Sequence, residues 1–325
     1  MRWWLAVLLL IASTLTAEAQ NRQLAVRAGG DRKIAPGAAA QLEATVEGAP
    51  PQGLRAFWFK LSGPGEARFA SAQFSDSFET GDVSQWLEGG GGNHTGSSYV
   101  SEEKPRSGKY SWKAHNLPGR GIDAKLLRWR FDYREAYFSA WYFWPEDYLV
   151  NGNDGQYVNI FQWKERADPW DPTYIVAVKE AIGDRSRDAI VVHDYHGRRI
   201  VRSPQNVELP KGRWFNLTAY MKAGRSDGEL IVWLDGRRVY ALKGINMLGS
   251  DSNPAFLMWG VGNYGGAGAG KFIYVDDVSV TRADQNLLKT PVTFSAPGVY
   301  VLGVTVDDGE STASDEMTVT VVGDN

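Results

Sequence analysis

The chain has 325 residues, no cysteine, 36 glycines and 13 tryptophans, and its 35 Lys and Arg against 38 Asp and Glu give a formal net charge of −3. This length allows two domains, each with its own core. The lack of cysteine excludes disulfides, thiolate metal sites, a cysteine nucleophile and a lipid anchor on cysteine. The balance of charge argues against nucleic acid as a partner, because nucleic-acid binders normally carry a clear basic excess.

Residues 1–19 have the pattern of a secretory signal peptide. Arg2 is the charged start, residues 3–11 form the apolar core, and Ala17-Glu18-Ala19 is a small-x-small cleavage site. The apolar run is too short to span a bilayer. We therefore expect a secreted or periplasmic bacterial protein that does not associate with a membrane after cleavage.

Strand patterns follow in residues 20–72, and they break off where one more hairpin would be expected. The central residues 73–284 then alternate polar and apolar positions in a long series of further strands, which predicts an all-β jelly roll of two sheets. The clearest strand candidates in this central part are 74–82, 137–144, 156–164, 175–179, 189–195, 214–222, 230–234, 237–242, 256–264 and 272–280.

The last strands, in residues 285–325, complement the first ones. Residues 57–65 (FWFKLSGPG), 294–300 (FSAPGVY) and 308–315 (DGESTASD) together resemble the pattern of a PKD-type immunoglobulin-like β-sandwich. The resemblance implies that residues 20–72 and 285–325 are two halves of one host domain, and that residues 73–284 are inserted into it. Such an insertion is tolerated when the ends of the guest lie close together.

Within the insert, six motifs occur in an order that resembles the heparin lyase I and glucuronan lyase group of concanavalin A-like, jelly-roll polysaccharide lyases. The motifs lie at residues 78–82, 107–111, 161–163, 212–215, 228–236 and 274–278. The resemblance implies a lyase that cleaves an anionic, uronic-acid-containing polysaccharide by β-elimination without a catalytic cofactor. Concanavalin A-like binding modules share several of these signatures, so a non-catalytic carbohydrate-binding or adhesion protein is the alternative. A laminarinase-type hydrolase would need an E-x-D-x-x-E strand, which the sequence lacks.

β-Elimination needs a group that neutralises the C5 carboxylate, a base for the C5 proton and an acid for the leaving oxygen. The resembling families use a glutamine, a histidine and a tyrosine. The resemblance therefore implies Gln162 as the neutralising group and Tyr264 as the acid or acid/base. A tyrosine base needs a nearby cation, which Lys164 or an arginine could supply.

Strand alternation places Gln162 and Lys164 on one face, opposite Phe161 and Trp163. We expect Lys164 to bind substrate beside Gln162, and Asn263 to do so beside Tyr264.

The histidine is assigned by chain order. His115 has the order seen in glucuronan lyases and is the first choice. His193 lies on a strand that could face the same groove, as a substrate-binding residue or an alternative catalytic histidine. His94 and His196 lie in loop and turn sequences.

Two charged clusters complete the candidates. Arg128 and Arg130 alternate onto one strand face and could bind substrate carboxylates through paired N–H donors. Asp277 and Glu79 lie where the first and last strands of the insert would meet, and could hold a structural calcium ion. A simple hydrogen-bonded strand end is the alternative for these two acids.

Overall fold

The computed structural model describes residues 23–49, 53–86, 98–116, 124–129, 133–150, 157–164, 172–195, 197–201, 203, 205–248, 258–265, 270–283 and 287–323. Within these ranges the regular structure consists of 24 β-strands and one short 3-10 helix, Ser84–Trp86. The prediction of an all-β protein is confirmed. The predicted signal peptide lies outside the described residues.

The strands range in length from 2 residues to 11. The first six are β1 Ala25–Arg27, β2 Arg32–Ile34, β3 Ala40–Glu43, β4 Thr45–Glu47, β5 Arg55–Ser62 and β6 Ala67–Phe69. The central strands are β7 Ala72–Asp76, β8 Tyr99–Ser101, β9 Ser111–His115, β10 Ala124–Trp129, β11 Glu135–Phe143, β12 Val158–Lys164, β13 Tyr174–Ala181, β14 Asp184–Asp194, β15 Arg199–Val201, β16 Val207–Glu208, β17 Trp214–Lys222, β18 Gly228–Leu234, β19 Arg237–Ile245, β20 Met258–Tyr264 and β21 Phe272–Arg282. The last three are β22 Lys289–Phe294, β23 Gly298–Asp307 and β24 Thr312–Val321.

The central strands form two antiparallel sheets. The front sheet has the order β10-β20-β12-β13-β14-β15, with β16 also paired to β14. The back sheet has the order β19-β18-β17-β11-β21-β9-β8, with β7 also paired to β21. Both sheets contribute to one hydrophobic core, so they pack face to face as the expected concanavalin A-like jelly roll.

Aromatic side chains fill the space between the two sheets. Phe138 of the back sheet lies 5.6 Å from Trp163 and 5.2 Å from Trp259 of the front sheet, measured between ring centroids. All three are fully buried. Burying one such side chain stabilises the fold by roughly 2 to 3 kcal/mol, so these rings hold the sheets at a fixed spacing.

The strands near the two ends of the chain pair with each other. β22 lies between β3 and β6, and β23 lies between β24 and β5. Here these sheets, together with the β1-β4 pair, are called the terminal sheets. They surround a second core that contains Leu42, Val292, Tyr300, Leu302 and Val319.

This second core extends onto the outer face of the back sheet. Phe57 packs 5.7 Å from Tyr137 and 5.2 Å from Trp233 between ring centroids. Trp233 Nε1 donates a hydrogen bond of 3.0 Å to Asp307, which also pairs with Arg238 at 2.7 Å. The terminal sheets therefore cover the back sheet around Tyr137 and Trp233.

In the part of the chain that the structure describes, no helix has the length and apolar character needed to cross a membrane.

Candidate functional site

An irregularity in β12 brings two amides together on the outer face of the front sheet. The pairing register shifts between Asn159 and Phe161, so that Ile160 and Phe161 both enter the core. Asn159 and Gln162 consequently share the outer face, and Asn159 Nδ2 donates to Gln162 Oε1 at 3.3 Å. Regular alternation from Gln162 would have placed Ile160, rather than Asn159, on this face.

Gln162 lies in a row that crosses four strands. Gly260 pairs with Gln162, Gln162 with Ile175, and Ile175 with His193. Two strand spacings, about 10 Å, separate the backbones of Gln162 and His193. A Cβ atom on Gly260 would lie 3.4 Å from Gln162 Nε2 but only 2.5 Å from Leu127 Cδ2, so the glycine lets β10 and the Leu127 side chain pack closely beside the glutamine.

Tyr264 stands on the same face, where it pairs with Asn159. The Lys125 ammonium lies 4.1 Å from the centroid of its ring. Lys164 pairs with Met258 at the other end of β20, six residues or about 20 Å of strand from Tyr264. Lys125 rather than Lys164 is therefore the cation beside this tyrosine.

His193 is also on this face, enclosed by aromatic rings. Its ring centroid lies 5.1 Å from that of Tyr157 and 4.6 Å from that of Tyr195. The two tyrosine hydroxyls share a hydrogen bond of 2.5 Å. Burial lowers the pKa of His193, against the opposing charge of Asp194, and the buried Nδ1 has no hydrogen-bond partner among the described residues. The neutral imidazole is thus favoured.

His115 lies on a different surface. It ends β9 in the back sheet, where Trp112 and Ala114 point into the core and His115 points outward, 6.2 Å from the ring of Phe272. The thickness of the sandwich, about 10 Å between sheets, separates it from Gln162. The structure therefore brings His193, and not His115, to the face of Gln162. His94 and His196 lie outside the described residues.

One of the two predicted binding arginines, Arg128, points into the sandwich. Arg128 follows the inward alternation of Ala124 and Leu126; its guanidinium lies 4.4 Å from the ring centroid of Phe74 and donates to the Gln85 carbonyl oxygen. It packs inside the fold and does not reach the outer face. Arg130 lies outside the described residues.

Asn263 is fully buried between the sheets. Its amide donates to the carbonyl oxygens of Ala114 at 3.1 Å and Lys271 at 2.9 Å, and its oxygen accepts from the Tyr148 hydroxyl at 2.8 Å. These bonds use its polar groups to join elements of the sandwich. Asn263 therefore has a structural position and does not face the groove.

Asp277 and Glu79 do not form the expected calcium site. Lys60 and Arg106 contact Asp277 at 2.8 and 2.5 Å. Burial opposes ionisation, but these cations hold the pKa of Asp277 below its ordinary value. The Glu79 carboxylate accepts from the backbone N–H groups of Lys109 and Tyr110 at 3.0 Å. The described residues contain no group of three or more acidic or histidine side chains arranged for a metal, so these acids do not fit the ion.

The outer face of the front sheet thus combines polar groups with an apolar floor. Ile175, Ala177 and Val191 form the buried floor. Around it stand the amides of Asn159 and Gln162, the phenol of Tyr264 with Lys125, and the imidazole of His193. We call this set the front groove. It places two amides, an imidazole and a phenol on one sheet face, where Asn159 and Gln162 are themselves only 3% and 5% exposed.

These features define an all-β jelly-roll protein with a cluster of polar side chains on the outer face of one sheet. No protein-family model matches the chain, and no curated protein matches it.

Solved structures with a similar arrangement of strands are distant in sequence. The GH131 β-glucanase catalytic domain from Podospora anserina is 10% identical over 66% of this chain and 93% of its own, with a TM-score of 0.38. A SAP-like pentraxin from Limulus polyphemus is 12% identical over 54% and 78%, with a TM-score of 0.35. The receptor binding domain of botulinum neurotoxin mosaic serotype C/D is 11% identical over 71% of this chain but only 48% of its own, with a TM-score of 0.33. These similarities assign neither a family nor a function.

Proposed function

We propose that the protein is an exported polysaccharide lyase that cleaves a uronic-acid-containing polysaccharide by β-elimination. The observation that carries the proposal is the presence of Gln162, Tyr264 and His193 on one face of one sheet, above a buried apolar floor. These are the three side-chain types that the sequence resemblance implies. The anionic polymer and the export of the protein follow from that resemblance and from the pattern of residues 1–19.

The amides of Asn159 and Gln162 are arranged so that Gln162 could bind an anion through its N–H groups. Because Gln162 Oε1 accepts from Asn159, the Gln162 N–H groups are oriented away from Asn159, and Nε2 lies on the side of Gly260. A uronate carboxylate bound there would receive these N–H groups. They would stabilise the negative charge that develops on the carboxylate when the C5 proton is removed.

The proton transfers are assigned to the two remaining groups. The neutral His193 imidazole accepts the C5 proton, and the electron pair of that bond forms the C4–C5 double bond. The C4–O bond breaks, and the Tyr264 hydroxyl donates its proton to the departing glycosidic oxygen. Lys125, beside the ring of Tyr264, stabilises the phenolate that remains. This scheme uses side chains alone.

The proposal is tested by the ultraviolet absorbance of unsaturated uronates during incubation with polyglucuronate, alginate and heparin. The wild-type protein should raise the absorbance on one of them. Gln162→Ala and Tyr264→Phe should each lower kcat at least about 100-fold, the typical loss when a donor to developing charge or a positioned acid is removed. Tyr110→Phe is the matched tyrosine control, since Tyr110 immediately precedes β9 of the back sheet and its hydroxyl accepts from Lys109.

A carbohydrate-binding protein is the second candidate, and the rings around His193 favour it specifically. Tyr157 and Tyr195 could stack on sugar rings without any chemical step. Retardation of the protein in gels containing one of the polymers, without a rise in absorbance on any of them, would establish binding alone. Turnover that survives both Gln162→Ala and Tyr264→Phe would instead show that the groove assignment is wrong.

A further inference from the structure

A row of side chains crosses the outer face of the back sheet, beginning at Trp214, which lines a pocket together with Phe59 and Leu61 of the terminal sheets. Its members lie directly opposite one another in β17, β11, β21, β9 and β8. In that order they are Trp214, Phe143, Tyr274, Lys113 and Tyr99. The row spans four strand spacings, about 19 Å.

The aromatic rings in this row touch their neighbours. Phe143 lies 5.9 Å from Trp214 and 6.2 Å from Tyr274 between ring centroids. Phe272, two residues from Tyr274 on the same face of β21, lies 5.6 Å from it. Trp214, Phe143 and Phe272 are partly exposed and Tyr99 is 49% exposed. Tyr274 itself is buried, at 5% exposure, and Lys113 lies between it and Tyr99. We call this strip of rings and the lysine within it the back ribbon.

Hydrogen bonds and cations fix the back ribbon in place. Glu103 accepts from the hydroxyls of Tyr274 at 2.8 Å and Tyr99 at 3.0 Å, and pairs with Lys113 at 2.7 Å. Lys113 Nζ also lies 4.4 Å from the ring centroid of Phe272. Side chains held in this way lose little conformational entropy on binding, so the ribbon is organised before any ligand arrives.

One positive charge in the ribbon remains for a ligand. Lys104 Nζ lies 4.3 Å from the ring centroid of Phe143. Lys104 is exposed and makes no ion pair within the described ranges. Lys113, in contrast, is neutralised by Glu103. The back ribbon therefore presents aromatic faces together with one available ammonium group.

From these observations we infer that the back ribbon is a second, non-catalytic binding surface for an acidic polysaccharide chain. Aromatic faces suit the C–H surfaces of sugar rings, and Lys104 suits a uronate carboxylate. The shape favours a chain over a folded partner, because protein interfaces are broad patches of about 800 Å² per partner, whereas this strip is about one residue wide. The inference does not need the lyase reaction, since the ribbon lies on the sheet opposite the front groove.

The test measures retardation of the protein in native gels that contain polyglucuronate, in a Gln162→Ala background that prevents cleavage. Trp214→Ala and Phe272→Ala should each raise the apparent Kd about tenfold, the equivalent of about 1.4 kcal/mol per ring. Val299→Ala is the matched control, because Val299 is an exposed apolar residue of β23, at 56%, and its loss should change nothing.

A charge-reversed variant tests the inference without removing any ring, in case the ring variants fail to fold. Lys104→Glu leaves every ring in place and should weaken retardation by polyglucuronate while leaving any retardation by neutral barley β-glucan unchanged. Unchanged retardation by polyglucuronate in Trp214→Ala, Phe272→Ala and Lys104→Glu would overturn the inference. So would equal retardation of the starting protein by both polymers, since the ribbon would then show no preference for acidic chains.

The two proposals fail separately. If the wild-type protein releases no unsaturated uronate but the ribbon variants lose retardation, the ribbon stands and the lyase proposal falls. If the protein cleaves the polymer and the ribbon variants are retarded like the Gln162→Ala protein, the lyase stands and the ribbon falls.

Discussion

Lys60 and Asp277 form an ion pair of 2.8 Å that joins the terminal sheets to the jelly roll, and the two side chains are only 3% and 11% exposed. Arg106 completes the contact. It pairs with Asp277, donates to the backbone carbonyl oxygens of Lys60 and Leu61, and lies 3.5 Å from the ring centroid of Trp141. One carboxylate thus holds two cations at the boundary between the two cores.

The first prediction is that Asp277→Asn destabilises the whole protein. The change leaves Lys60 and Arg106 buried beside a neutral amide, and breaking a buried pair in this way typically costs about 3 to 5 kcal/mol. Urea unfolding should show a lower free energy of unfolding of that size. Glu47→Gln is the control, because the Arg27–Glu47 pair is exposed and its loss should cost less than about 1 kcal/mol. Equal effects of the two variants would contradict the buried cluster.

The second prediction separates the two histidines. His193→Ala should lower kcat at least about 100-fold, the usual effect of losing a base, whereas His115→Ala should leave kcat unchanged because its side chain lies on the opposite sheet. Both variants remove the same ring, so each is the control for the other. Loss of activity in His115→Ala with full activity in His193→Ala would reverse the assignment.

A third prediction concerns pH. The base must be neutral, and burial lowers the pKa of His193 below its ordinary value of 6.5. As the pH falls, His193 therefore stays neutral longer than an exposed histidine would, and the acidic limb of kcat/KM should lie below pH 6.5. The position of the acidic limb is tested by measuring kcat/KM on one polymer at pH values above and below 6.5. A limb above pH 6.5 would contradict a base in this buried position.

The sequence predicts which side chains face outward only where inward and outward positions alternate regularly along a strand. This alternation holds in β12 around Gln162, so the outward glutamine and the inward Phe161 and Trp163 follow from period two alone. It fails at Asn159, because a bulge of one residue is set by pairing with β13 and β20 and leaves no mark in the strand itself. The amide partner of Gln162 was missed for this reason.

The sheet face on which a side chain lies and the residue that it contacts are harder to predict than the position of the strand itself. Alternation in β10 shows that Lys125 and Arg128 lie on opposite faces, but only the packed sheets show that the arginine points inward. Lys164, the predicted cation beside Tyr264, lies on β12 opposite Met258, which is six residues from Tyr264 along β20. The same limit applied to Asp277, one of whose two cations is the side chain of Lys60, more than 200 residues away in sequence.

The fourth prediction is that Lys125→Met lowers kcat by about tenfold or more, an effect of about 1.4 kcal/mol on the transition state. The methionine keeps the length of the side chain but removes the charge beside Tyr264. Lys164→Met removes an equivalent charge from the same sheet, and it should change kcat far less because it lies about 20 Å of strand away. Initial rates for the two variants on one polymer provide the comparison. A larger loss of kcat in Lys164→Met would restore Lys164 as the partner of the tyrosine.

The fifth prediction concerns Gly260, the glycine that pairs with Gln162. Gly260→Ala would place a Cβ atom 2.5 Å from Leu127 Cδ2 and 2.8 Å from the Leu126 carbonyl oxygen. The backbone of β10 must then move away, and overpacking of this kind costs about 1 to 3 kcal/mol. Because the methyl group would also stand against the Gln162 amide, we expect both a lower free energy of unfolding and a lower kcat/KM. Gly30→Ala is the control, since a Cβ there would meet no atom within 4 Å. A Gly260→Ala protein with unchanged kcat/KM would show that the position of the Gln162 amide does not matter for the reaction.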